Sequence, residues 1–186
     1  MAKFKGIRRR WMTNSIGVLL FVILLAVTAF SAAMGSYYYA TMSSGLQVKA
    51  EYAVEFFSDY RTKNEYYQHV LTYVNNNFEG KDVMDMQFLD TAGSIRFSSF
   101  GLAAFSPPGT PDIAGALDPE SPQTTVWTGD DPSTGEHIMA VSSPLTIDGK
   151  PVATIRYVTS LRLVDRQLAV IVVLSLAVGM AILALV

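Results

Sequence analysis

The sequence predicts an α+β fold: two transmembrane helices flanking one antiparallel-sheet domain that carries a long N-terminal helix. Three observations predict it. Ile16–Gly35 and Leu168–Val186 are runs of 20 and 19 residues without a charge, each able to cross about 28–30 Å of hydrocarbon at ~1.5 Å per residue. A core helix of that length normally keeps a polar face, and these runs have none. Between them, apolar residues first recur every three to four positions and later every two, the periods of helix and strand.

The basic end comes first. Lys3, Lys5, Arg8, Arg9 and Arg10 bring +5 to the first eleven residues, and Tyr37–Leu161 holds seven basic and fifteen acidic residues. Basic residues beside a first span stay cytoplasmic. The expected layout is therefore a cytoplasmic N-terminus (1–13), a first span (14–36), an extracytoplasmic domain (37–166) and a second span (167–186) in the cell membrane. Ser31-Ala32-Ala33 also fits a signal-peptide cleavage site, but the run is long and a helical pattern continues past it.

Composition excludes several classes. With no cysteine, thiol chemistry and thiolate metal sites are out, and His69 and His137 lack any zinc spacing. An acidic domain repels phosphates, so no nucleic-acid partner is expected. Catalysis within these residues is not expected either. Asp130-Asp131 lies among turn residues, Ser142-Ser143 has no histidine arrangement beyond His137, and no glycine-rich phosphate loop occurs. No metal or cofactor is implied.

Tyr38, Met42, Leu46, Ala50, Ala53, Phe57 and Tyr60 form a helical stripe, so the first span is read as continuing outward to about Asp59. Thr62-Lys63-Asn64-Glu65 has the form of a capping box, which opens a second helix by satisfying free amide groups. Tyr66, Val70, Tyr73 and Val74 form its inner face, and Asn75-Asn76-Asn77 ends it. Met84, Met86 and Phe88 alternate with polar neighbours; Asp90–Gly93 turns the chain, and Ile95 and Phe97 continue the apolar face as a hairpin. Prolines and glycines make Ser99 to Thr125 a loop. Within it Thr110-Pro111-Asp112 starts a short helix, with Thr110 as cap. Val126–Thr128 and Glu136–Pro144 are strands. Asp148-Gly149 closes a tight hairpin onto Val152–Val158. Thr159–Gln167 reads as a polar helical linker into the second span, so Thr159, Ser160 and Leu161 are the expected signal-transmission residues.

This order resembles the extracytoplasmic PAS-like, single-Cache sensor region of bacterial transmembrane histidine kinases. Phe88-Leu89-Asp90-Thr91-Ala92-Gly93-Ser94-Ile95 is similar to the family's strand, D-x-x-G turn and strand. Ser142-Ser143-Pro144-Leu145, Asp148-Gly149 and Arg156-Tyr157-Val158-Thr159-Ser160-Leu161 are similar to its closing strands and exit. The resemblance implies a sensor that signals through its second span to a kinase and, through that, to a response regulator. A chemoreceptor or cyclic-dinucleotide enzyme output, or an envelope-anchored binding or scaffold protein, are the alternatives. Arg162 and Arg166 lie outside the second span with no charge beyond them, so the 186 residues are expected to be the sensor end of a longer protein.

Two sets of site residues follow. Arg96 and Arg156 alternate with apolar neighbours on their strands and could clamp a small anionic ligand, with His137 as a further donor and Trp127 as a wall. The plainer reading of the same arginines is as exposed partners of the many acids. Ser175 and Gly179 form a small-xxx-small pair, with Ala177 and Ala181 beside it, suited to a parallel homodimer of spans.

Overall fold

The computed structural model describes residues 3–78, 84–101 and 106–185. The first two residues of the basic terminus, residues 102–105 of the expected loop and Val186 lie outside them. Among the described residues four helices and five strands follow one another: α1 (Lys3–Phe57), α2 (Lys63–Asn77), β1 (Met84–Asp90), β2 (Ile95–Ser98), α3 (Asp112–Ala116), β3 (Thr125–Asp130), β4 (His137–Ile147), β5 (Lys150–Ser160) and α4 (Arg162–Leu185). The chain divides into two compact units, Ala40–Arg162 and Met1–Tyr39 with Leu163–Val186.

The second unit pairs the start of α1 with α4. A side chain added at Gly179 would come within 2.5 Å of Ile23, and one at Gly35 within 3.8 Å of Leu168. The Tyr39 hydroxyl donates to Asp165 Oδ1 at 2.6 Å. Partner numbers fall on one helix as they rise on the other, so the two run antiparallel. Gly179 thus serves a close approach inside the chain. Both helices are long and apolar enough to cross a membrane.

The central unit is a five-stranded antiparallel sheet in the order β2-β1-β5-β4-β3. Its last hairpin turns on Asp148 (φ 51°) and Gly149 (φ 76°), the positive φ pair that matches strand twist. On α1 the positions Leu46, Ala50, Ala53 and Phe57 are all at most 3% exposed. The two alanines let the helix backbone come close, and Phe57 closes the stripe. Its ring lies 6.0 Å from Phe88, 5.8 Å from Tyr66 and 5.6 Å from Tyr73. Helices and sheet therefore meet through an aromatic cluster.

The capping box of α2 forms as its residues imply. Glu65 N donates to Thr62 Oγ1 at 3.3 Å, and the Glu65 carboxylate accepts from Thr62 N at 2.8 Å. Two expectations change. Thr110 does not cap α3: Pro111 stands at that position without a side-chain bond, because the Thr110 hydroxyl is engaged elsewhere. The stretch expected to be helical from Thr159 is still strand through Ser160, and α4 starts at Arg162. The reason is a partner: Met139 and Ile138 pair with Thr159 and Ser160, extending the ladder by two residues.

Phe57→Ala should lose about 3–5 kcal/mol of stability, the usual cost of emptying an aromatic core site. Urea denaturation of the central unit checks it. A loss below about 1 kcal/mol would mean that the cluster does not hold helix to sheet.

Candidate functional site

Arg156 lies at the middle of β5, which is itself the central strand. Ladder register puts Gln87 of β1 on one side of it and Ser142 of β4 on the other. All three project from one face, because side chains opposite each other in a sheet share a face. Over that face lies the proline- and glycine-rich segment with α3. Leu89, Ile95 and Ile113 form a small apolar cluster there, with Leu117 packed against it.

An arginine inside a domain needs its donors met, and three residues accept from it. Nε donates to Asp112 Oδ2 at 2.7 Å, Nη1 to Gln87 Oε1 at 2.9 Å and Nη2 to the Thr110 hydroxyl at 2.9 Å. Ser142 Oγ donates to the same Asp112 oxygen at 2.6 Å. The ion pair is closed to solvent, with side chains 1% and 0% exposed. Burial by itself would raise the Asp112 pKa. The Arg156 charge and the hydrogen bonds from Arg156 and Ser142 outweigh it and hold the carboxyl below its usual range. The other oxygen, Oδ1, is buried without a hydrogen-bond partner among the described residues. Thr154, two residues before Arg156 on the same strand face, has a buried hydroxyl in the same condition.

The four ligand-site expectations fall in different places. Arg156 is the centre of this network, buried rather than exposed. Trp127 is half-buried and shares the Arg156 face through the pairs Trp127↔Ala140 and Ser142↔Arg156. Its ring lies over Gly129, where a side chain would clash with it. His137 has the opposite parity on β4; its carbonyl accepts from Leu161 N at 2.9 Å. Arg96 is on β2, with its side chain 45% exposed and Nη2 2.6 Å from Asp90 Oδ2. Sequence reasoning missed Asp112, Thr110, Gln87 and Ser142 as members of the Arg156 site. Asp112 carried only the mark of an acid in a first helical turn. Among the described residues there is no group of three or more His, Cys, Asp or Glu side chains able to hold a metal.

At the exit of β5 the ladder is tied off by side chains. Ser160 Oγ donates to Glu136 Oε1 at 2.6 Å, and Arg162 N donates to Ser160 Oγ at 3.3 Å. Leu161 is fully buried. Thr159, Ser160 and Leu161 are thus fixed to the start of β4.

No protein-family model and no curated protein matches the chain. Solved structures do. The sensory domain of the Campylobacter jejuni chemoreceptor Tlp3 with isoleucine bound aligns with a TM-score of 0.50 at 9% identity, over 90% of this chain and 65% of that one. The chain shares the fold of that domain. The sensor domain of the V. cholerae histidine kinase DctB gives 0.45 at 14% identity, over 70% of this chain and 53% of its own. The ligand-binding domain of the Pseudomonas aeruginosa chemoreceptor PctC, in complex with GABA, gives 0.44 at 19%, over 71% and 61%. This chain spans less than two thirds of the length of each.

In the central unit the buried pair sets an acid limit. A carboxyl held below its unfolded value contributes stability above the ordinary carboxylate pKa of about 3.9 and loses it as pH falls through the folded value. Asp112→Ala leaves the Arg156 charge uncompensated and should cost about 3–5 kcal/mol at neutral pH. It should also flatten the acid limb of the stability curve. Denaturation midpoints from pH 7 down to pH 3 check both; an unchanged acid limb would show that Asp112 does not govern it.

Proposed function

We propose that the chain is the sensor end of a membrane signalling protein, with the Arg156 face of the sheet as its ligand site. One observation carries this reading: the strand that holds Arg156 ends at Ser160, and α4 begins two residues later at Arg162. A change in what Arg156 binds acts on the element that leads into the apolar helix. The ligand class is a small molecule with a carboxylate, which suits a guanidinium through paired hydrogen bonds. Asp112 occupies the guanidinium through one oxygen and leaves the other unsatisfied. A ligand carboxylate would take its place and release the segment that carries α3. Isoleucine, bound by the Tlp3 domain of the same fold, is a molecule of this chemistry. Trp127 forms a wall of the site on the same face.

In this reading the N-terminus is cytoplasmic, the central unit is extracytoplasmic, and α1 and α4 span the membrane. The protein acts as a homodimer, in which Ser175 and its neighbours meet across the two-fold axis. Ligand exchange biases a two-state arrangement of α4 only as far as ligand affinity differs between the states. The output is a cytoplasmic histidine kinase that phosphorylates a response regulator. Thr159, Ser160 and Leu161 transmit the change because they join the ladder to α4.

The test is an alanine series inserted behind Leu161 in the whole protein in its own membrane. One alanine turns α4 by about 100° and lifts it by ~1.5 Å, whereas four return it to within about 40° of a whole turn. Phosphotransfer should change sharply with one alanine and recover at least in part with four. A flat response at normal membrane levels would rule out mechanical coupling through this junction.

A further inference from the structure

Arg156 and Tyr157 are neighbours on β5 and therefore project to opposite faces of the sheet. On the Tyr157 face, alongside α1 and the end of α2, lies an open cavity of about 420 Å³. This volume is within the range of small-molecule sites. Its principal walls are Lys49, Tyr52 and Phe56 of α1, Tyr73 of α2, Phe78 and Tyr157.

The cavity is a consequence of how α1 is patterned. Leu46, Ala50, Ala53 and Phe57 make its buried stripe. Val48, Tyr52 and Phe56 make a second apolar stripe at four-residue spacing beside the first. The core does not use up that second stripe: Val48 is 48% and Tyr52 66% exposed. The Phe56 ring of this stripe lies 5.0 Å from that of Tyr73, and Phe78 stacks on Tyr157 at 6.1 Å and 18°. Three elements thus present flat aromatic walls to one space.

Asn77 also lines the space, its Nδ2 donating to the Tyr73 carbonyl at 2.8 Å, and two further polar features define what fits there. Tyr73 and Tyr157 join hydroxyl to hydroxyl at 2.9 Å. Two phenols sharing one hydrogen bond use one of their two protons, so one donor is left for an acceptor. Burial raises the pKa of both, which keeps them protonated. The other feature is Lys49, whose ammonium has no ion pair among the described residues. The positions three and four residues away on α1 are Leu46, Tyr52, Gly45 and Ala53, and none is acidic. An aromatic box for a cationic ligand would not place an unpaired ammonium in its wall.

We infer that this cavity is a second binding site, taking a small aromatic carboxylate. The ring lies between the aromatic walls, the carboxylate meets Lys49, and the spare phenol proton serves a further acceptor on the ligand. The site is on the face opposite Arg156 and does not depend on the function proposed for that face. Its occupant would join α1, α2 and β5, the strand shared with the Arg156 network.

The experiment uses the full chain in lipid nanodiscs, photolabelled with 4-azidobenzoate and mapped by peptide mass spectrometry. Label should fall on peptides containing residues 48–56, 73–78 or 157. Excess benzoate should suppress it and excess benzyl alcohol should not, since only the former brings an anion. Lys49→Met and Tyr52→Ala change solvent-facing or rim positions of a long helix, so the fold is retained. Lys49→Met should cut labelling about tenfold or more, as expected for a charge-assisted hydrogen bond. Equal labelling of Lys49→Met, equal competition by benzyl alcohol, or no label in these peptides would overturn the inference. Label confined to residues 110–117 would overturn it too, while favouring the Arg156 face as an acid site.

Discussion

The ion pair between Arg156 and Asp112 is the constraint around which the central unit is arranged. Taking two charges fully out of water costs several kcal/mol per ion before their attraction is counted. Such a pair persists only where further hydrogen bonds complete it. Gln87, Thr110 and Ser142 supply those bonds, and they come from β1, the segment before α3, and β4. The network therefore sets requirements well beyond itself. β5 must be flanked on both sides, α3 must dock on the sheet, and Thr110 must give up its role as helix cap. The unsatisfied Oδ1 marks where this arrangement stops short of complete pairing.

β5 is the strand on which the other features converge. One of its faces carries the charge network and the opposite face carries Tyr157 against the aromatic cluster of the helices. Its end is fastened to the start of β4 by Ser160 and Leu161, immediately before α4 starts. A strand paired on both sides along most of its length moves as part of a sheet rather than as a loop. Tertiary pairing thus explains why strand continues where local composition read as helix.

Legibility in the sequence differed between periodic elements and contacts. The two apolar runs, the helical stripe of α1, the capping box of α2 and the Asp148-Gly149 hairpin were visible because each obeys a rule acting over a few residues. Element ends were less so: β3, β4 and β5 each run two or more residues past the expected end, since ladder hydrogen bonds do not depend on side-chain polarity. Arg156 was legible as a strand arginine of interest. Its partner was not, because Asp112 is 44 residues away and no local pattern distinguishes an acid that caps a first turn from one that neutralises a buried guanidinium.

The sequence by itself determined the class of fold, the order of its elements and the presence of two helices apolar enough for a membrane. Those follow from hydrophobic period, charge placement and turn chemistry, all properties of neighbours along the chain. The tertiary structure alone decided which charges meet, which side of the sheet each strand residue faces, and where cavities remain. Register sets these: a shift of one residue exchanges the two faces of a strand. Only the assembled ladder β2-β1-β5-β4-β3 places Gln87 and Ser142 beside Arg156 and turns Tyr157 towards the helices.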